Sequence, residues 1–365
     1  MTTGTFFHPG PTEVRPEILA TLAQPMIPHR GPAMREMMQR IHERLPSLFG
    51  TARPVYVATC AATALMDAAI RCAAPRRVLA LVSGGFGERF AVVAERCGRE
   101  VTRVMAAPGD ACALDDVAAA LAAGPYDAVT AVHIETSTGV LADLQALATL
   151  VRQYDETLLL VDAVSSVGGA RVAMDAWKAD LVFSASQKAL ALPPGLAFAA
   201  CSERLLARAR TQRDRGFYLD LVRCDEFWQR GEMAPSPPVS LIYALDAQLE
   251  AIAREGLEQR LARHDAMARA TWHWADDMAQ RGVPVRLLAP VGRRATTVSC
   301  LVWPDDPAGV ARAMAARGFA IGGGYGALAG HTFRIGHLGD HSVEALERML
   351  GALGETLAGW PTPAT

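Results

Sequence analysis

Short apolar runs that alternate with helical patterns constrain this 365-residue chain more than any other feature of its sequence. Runs rich in β-branched residues and leucine recur at 78–83, 128–134, 157–161, 181–184 and 196–201, each followed by turn residues. Helical periodicities lie between several of them, at 62–74, 89–97, 114–123 and 141–154. Strand, helix and strand in succession form the crossover unit of a mainly parallel sheet, because parallel neighbours cannot be joined by a tight turn. In such sheets ligands gather beyond the carboxyl ends of the strands. The loops at 83–87, 135–139 and 162–169 are therefore where chemistry is expected.

Past Pro237 and Pro238 the pattern predicts one long helical stretch over about 239–281. A second strand-rich region follows at 284–288, 297–303, 319–322 and 332–335, closed by a helix near 343–357. The length suits about two domains, with the boundary expected near residue 255.

Lys plus Arg (36) against Asp plus Glu (38) leaves a net charge of -2, so no positive field exists to hold a polyphosphate backbone or an anionic bilayer. Neither nucleic acid nor a membrane is an expected partner. The N-terminus lacks the order of a signal peptide and no apolar stretch is long enough to span a bilayer, so a cytoplasmic protein is expected. Seven cysteines are scattered without a Cys-x-x-Cys pair, which argues against a disulfide framework or a structural zinc; no metal is expected.

One count is more informative. Of the 36 basic residues only Lys178 and Lys188 are lysines. Where Arg serves, this chain uses Arg, so a surviving lysine points to what guanidinium cannot do: lose its proton and form a Schiff base. Chance survival on the surface suits Lys178, in its polar stretch, better than Lys188. Val161-Asp162-Ala163-Val164-Ser165-Ser166 and Ser184-Ala185-Ser186-Gln187-Lys188 each cap an apolar run, which delivers an acid and a lysine to the same edge of neighbouring strands. That pair suits pyridoxal phosphate, the lysine holding the aldehyde and the acid keeping the ring nitrogen protonated. A salt bridge closing the sheet would use the same two residues equally well.

Several motifs in order resemble the class V aminotransferases of the fold-type-I pyridoxal-phosphate superfamily, especially the alanine–glyoxylate and serine–pyruvate group. They are Pro9-Gly10-Pro11-Thr12, Gly84-Gly85-Phe86-Gly87-Glu88-Arg89, His133-Ile134-Glu135-Thr136-Ser137-Thr138-Gly139, the Asp162 and Lys188 clusters, Pro193-Pro194-Gly195 and Phe333-Arg334-Ile335-Gly336. The resemblance implies an α/β fold with an N-terminal arm (1–15) near the active site. It also implies a large domain (16–254) around a mainly parallel seven-stranded sheet and a smaller C-terminal α/β domain (255–365).

It further implies pyridoxal 5'-phosphate as cofactor, with Lys188 as the Schiff-base lysine and proton-moving base and Asp162 as partner of the ring nitrogen. Phe86 would stack on the cofactor, Thr136 would bond its phenolic oxygen and Val164 would line the ring site. Ala61, Ala62 and Thr63, at a helix start, would hold the phosphate with Gln187. Many relatives have hydroxyl-bearing residues where this chain has the alanines. In a homodimer with the active site at the subunit interface, Ser236 would reach the partner's phosphate, while Met233 stands where some relatives carry tyrosine.

Arg334 matches the arginine that grips the substrate α-carboxylate, with Gly10 and Tyr325 on the substrate wall. His29-Arg30-Gly31 also resembles the segment with which phosphoserine aminotransferases bind a distal phosphate. Arg30 either faces the site as a substrate-binding residue, favouring a phosphorylated or dicarboxylic donor, or pins the N-terminal segment to the large domain or the partner subunit, the second being slightly favoured because small-substrate relatives also carry His-Arg nearby. The implied activity is transfer of an amino group from a small L-amino acid such as alanine or serine to a 2-oxo acid such as glyoxylate or pyruvate, by a ping-pong mechanism. Phosphoserine, aspartate or 2-aminoethylphosphonate are alternative donors, and a catalytically inactive relative that keeps the fold is the alternative from another class.

Rival readings fit less well. The glycine run at 322–326 lies too late in the chain for a dinucleotide fingerprint, and His337, Asp340 and His341 lack the helical spacing of a zinc hydrolase. Cys300, within an apolar strand pattern, does not suit the mobile nucleophile of a desulfurase.

Overall fold

The computed structural model describes residues 4–234 and 236–360. Its main sheet has seven strands in the order Val55–Ala58, Ala197–Cys201, Leu181–Ala185, Leu158–Asp162, Ala128–Val132, Arg77–Val82 and Glu100–Met105. Ala197–Cys201 runs antiparallel to both neighbours; the remaining pairs are parallel. The inner strands are buried along their whole length, which is why they read as continuous apolar runs rather than as alternating ones.

Side-chain alternation divides these strands between two layers. Val129, Leu159, Val161, Val182 and Phe198 face a core shared with the helices Pro32–Phe49, Leu144–Val151 and Val239–Glu255. Ala128, Leu158, Leu160, Leu181 and Phe183 face the opposite core, covered by Ala62–Ala73, Gly85–Arg96 and Glu203–Thr211. Each fully buried side chain of this size contributes about 1.5–3 kcal/mol.

A second sheet has five strands in the order Phe6–Phe7, Ala320–Gly323, Thr332–Gly336, Val298–Val302 and Arg286–Leu287. It shares an apolar core with the helices Leu257–Gln280, Pro307–Ala316 and Val343–Ala358. Residues 6–7 pair in parallel with Ala320 and Ile321, so the N-terminal arm is stitched to the last quarter of the chain.

Three expectations are corrected. The long helix over 239–281 is two helices, Val239–Glu255 and Leu257–Gln280, separated by Gly256 at φ +84°. A left-handed glycine ends the first and starts the second without a change in apolar spacing, which conceals the break. The helix expected from residue 89 begins at Gly85, so Phe86 and Gly87 lie in its first turn rather than in a loop. Strands at Val55–Ala58 and Glu100–Met105, and the helix Pro307–Ala316, were not expected. The first is only four residues long, and the second is a half-exposed edge strand with polar residues in its pattern.

Candidate active site

The carboxyl ends of the parallel strands meet one end of the five-stranded sheet and the arm, and the expected site residues converge there. Asp162 is the last residue of Leu158–Asp162 and is almost fully buried. Its Oδ1 accepts a hydrogen bond from Val164 N at 2.8 Å. Burial pushes its carboxyl up to about 7, a shift that Glu135 reinforces while the Val164 N–H, Lys188 and Arg89 oppose it. A carboxylate so placed calls for a nearby cation.

Lys188 follows the next strand, Leu181–Ala185, and only 7% of it is exposed. Its Nζ donates to Pro9 O at 2.6 Å and lies 5.9 Å from the centre of the Phe86 ring. Burial, with the Arg334 charge, brings its amine down to about 8, against the pull of Asp162 and Glu135. The amine is thus much closer to its neutral, nucleophilic form than a solvated lysine. Gly10, at φ +136°, passes so near that a Cβ there would lie 2.3 Å from Lys188 Nζ.

Phe86 is half-buried and stacks on Tyr325, with ring centres 5.5 Å apart and planes 11° from parallel. Tyr325 Oη accepts from Arg89 Nη2 at 2.5 Å, and the Arg89 guanidinium lies 4.8 Å from the Phe86 ring centre. Arg334, in the strand Thr332–Gly336, donates from Nε to Gly323 O at 2.8 Å and from Nη1 to Thr136 O at 3.3 Å. It is 7% exposed, 5.6 Å from the Tyr325 ring, and burial lowers its affinity for its proton. Among the described residues no carboxylate pairs with it, so a buried cation faces the pocket with spare donors.

Thr136 Oγ1 and Ser165 Oγ lie 2.5 Å apart. Ala61 is the N-cap of Ala62–Ala73 and supplies no capping side chain; Ala64 N donates to Ala61 O at 3.0 Å, which leaves the N–H groups of Ala62 and Thr63 to other acceptors. Thr63 Oγ1 accepts from Arg89 Nη1 at 3.4 Å. Gln187 is half-buried, and its carbonyl accepts from Thr12 N at 3.1 Å.

Two expected residues stand apart from this group. Arg30 is 56% exposed, 3.9 Å from Glu232, and its carbonyl accepts from Arg35; no contact among the described residues links it to Lys188 or Arg334. Ser236 is exposed ahead of the helix Val239–Glu255, and Met233 is buried in the core. His337 and His341 are taken up by Ser299 and by Phe6 O, and no cluster of three or more metal-ligating side chains exists among the described residues.

Two further residues, Glu135 and Arg89, join the site although their motifs alone assign neither a role. Glu135, fully buried, accepts from the N–H groups of Phe86, Gly87 and Ser137 and from Ser137 Oγ, all at 2.6–3.0 Å. It caps the helix that carries Phe86. The signal was available: a helix opening on Gly-Phe-Gly has no Ser, Thr, Asp or Asn N-cap of its own, so an acceptor must come from elsewhere.

The pocket fits pyridoxal phosphate on four counts that need no prior identity. A near-neutral buried amine suits an aldehyde, and an ionisable buried acid suits a protonated ring nitrogen. The flat face of Phe86 suits an aromatic ring. The uncapped helix start, with Thr59 Oγ1 buried and unpartnered just before it, suits a phosphate.

Residues 19–333 match the family model described as aminotransferase class-V. An uncharacterized aminotransferase of Methanocaldococcus jannaschii is 36% identical over 91% of this chain and 86% of its own length. L-aspartate–glyoxylate aminotransferase of Paracoccus denitrificans is 32% identical over 91% of this chain and 86% of its own. The crystal structure of alanine–glyoxylate aminotransferase from Nostoc sp. superposes with a TM-score of 0.91 at 30% identity, covering 98% of this chain and 96% of that one.

Proposed function

This chain belongs to the class-V aminotransferases, pyridoxal-phosphate-dependent enzymes, and from that membership we propose that it transfers the amino group of a small L-amino acid, alanine or serine, to glyoxylate or pyruvate. The observation that carries this reading is the convergence around one aromatic face of a buried, weakly basic Lys188, a buried Asp162 and an Arg334 that has no acid partner among the described residues. The glyoxylate named for the Nostoc and Paracoccus proteins supports the acceptor. Aspartate is the second donor reading, supported by the Paracoccus relative, while Arg30, 56% exposed and 3.9 Å from Glu232, lends it no contact within this chain among the described residues.

When bound, pyridoxal phosphate supplies an aldehyde carbon and an electron-withdrawing ring that acidifies the Cα–H bond of an attached amino acid. Lys188 would hold the cofactor, and its near-neutral amine would move the proton at the substrate Cα. Asp162 would keep a proton on the ring nitrogen, because two buried charges of opposite sign offset each other's desolvation. Arg334 takes the substrate carboxylate and so fixes which bond at Cα faces Lys188. Phe86 would cover one ring face and exclude water, Val164 and Thr136 would border the ring, and Ala62, Thr63 and Gln187 would hold the phosphate. Gly10 leaves room beside Lys188 Nζ, and Tyr325 forms the wall between Phe86 and Arg334.

The enzyme acts as a cytoplasmic homodimer in this reading. The exposed Ser236 suits delivery to a second subunit, and exposed apolar side chains such as Met26 and Phe217 suit coverage by one. Seven unbridged cysteines suit a reducing compartment, and no helix among the described residues is long and apolar enough to cross a membrane.

Single-turnover mixing of the cofactor-loaded protein with alanine, serine, aspartate or phosphoserine tests the proposal. Alanine or serine is expected to convert the Schiff-base absorption to that of the aminated cofactor with one equivalent of 2-oxo acid released. Lys188→Arg is expected to abolish the conversion. Silence with every donor, or turnover by the arginine variant, would overturn the assignment.

A further inference from the structure

Arg89 reaches into the same pocket from the helix Gly85–Arg96 and has no carboxylate partner among the described residues. Its guanidinium bridges two hydroxyls, Thr63 Oγ1 at 3.4 Å and Tyr325 Oη at 2.5 Å, and rests against the Phe86 ring at 4.8 Å. Stacking and the tyrosine bond fix the plane of the fork, so its position is set by the protein before any ligand arrives.

Thr63 belongs to the first turn of Ala62–Ala73. Ala61 and Ala62 bring no side-chain donor to that turn, and the hydroxyl of Thr59 just upstream is buried without a partner. A phosphate monoester carries about -1.5 to -2 charges near neutral pH, whereas a helix start offers about +0.5. The remaining negative charge needs a cation, and Arg89 is the basic side chain that, among the described residues, hydrogen-bonds to this turn.

We propose that Arg89 is the charge partner of the cofactor phosphate, its fork held by Tyr325 Oη and Phe86 so that the donor now on Thr63 turns to phosphate oxygens. The inference rests on reading the pocket as a pyridoxal-phosphate site. It also ties phosphate anchoring to the substrate wall, because the same Tyr325 lies 5.6 Å from Arg334.

Titration of the apo-protein with pyridoxal phosphate and, separately, with pyridoxal tests it, following Schiff-base absorption and tryptophan fluorescence. Arg89→Met is expected to weaken binding of the phosphorylated aldehyde by roughly 10- to 100-fold while leaving pyridoxal affinity unchanged. Arg89→Lys, which keeps a point charge without the fork, is expected to recover part of the loss and keeps the test open if the methionine variant does not fold. Equal weakening of both aldehydes, unchanged affinity for the phosphorylated one, or a defect confined to saturation by dicarboxylic donors would overturn the proposal. Failure of the unaltered protein to give a Schiff-base band with either aldehyde would instead overturn the reading of the site itself.

Discussion

Asp162 bears a desolvation cost that the protein alone does not offset. Its carboxyl ionises near 7 when folded against an ordinary value of 3.8, so folding favours its protonated form. The sign follows: its effect on stability is neutral below about pH 4, turns unfavourable as pH rises toward 7, and stays so above. Apo Asp162→Asn is therefore expected to match the unaltered apo-protein at pH 4 and to exceed it in stability by roughly 2–4 kcal/mol at pH 8, measured by urea unfolding. A difference independent of pH would contradict this. Bound cofactor should erase the gap by giving the carboxylate its cation. At this scale the sequence was most legible where residue type alone is diagnostic. Lys188 announces itself because lysine is so rare here, and Asp162 because it ends an apolar run. Glu135 and Arg89 were silent because their meaning lies mainly in bonds to residues 26 or more positions away in sequence, among them Thr63, Gly87 and Tyr325.

The helix Gly85–Arg96 shows how an element of poor local propensity is held in place. Two glycines in its first turn cost roughly 1 kcal/mol each relative to alanine, and no side chain of its own N-cap contributes. The buried carboxylate of Glu135 substitutes, accepting from Phe86 and Gly87 at 3.0 Å each while Ser137 Oγ binds Gly85 N at 2.9 Å. A negative charge at this end also meets the positive end of the helix. Glu135→Gln replaces one of two acceptor oxygens with an NH₂ that faces two of the four donors. The expected result is a loss of about 2–3 kcal/mol in urea unfolding together with a weakened Phe86 stack. An unaltered unfolding midpoint would remove Glu135 as the cap. The same logic explains which elements the sequence revealed. Inner strands buried on both faces have a one-dimensional signature, whereas the start of this helix and the break at Gly256 depend on tertiary partners or on a single dihedral angle.

Across the whole molecule, one buried arginine joins the parts that the site requires together. Arg260 is 1% exposed and donates to Gly168 O at 3.0 Å and Ala189 O at 2.6 Å, so it grips the loop after Asp162 and the loop carrying Lys188. It pairs with Glu255 at 2.8 Å and Asp340 at 2.9 Å, and Asp340 in turn binds Arg15 of the N-terminal arm at 2.6 Å. Both site loops, the junction between the two long helices and both ends of the chain thus meet at one guanidinium. Arg260→Met would leave two buried carbonyls without this donor and take one cation from Glu255 and Asp340, which keep Arg263 and Arg15, and losing one member of such a network costs up to about 3–5 kcal/mol. Because the charges are buried, the loss should persist in 1 M salt, where exposed pairs are screened. A second readout separates this from simple destabilisation. If Arg260 sets the position of Lys188, the surviving folded variant should show a shifted pH dependence of its Schiff-base absorption, whereas a variant at an exposed pair such as Arg269–Asp265 should not. Unchanged titration in folded Arg260→Met protein would confine Arg260 to holding the fold.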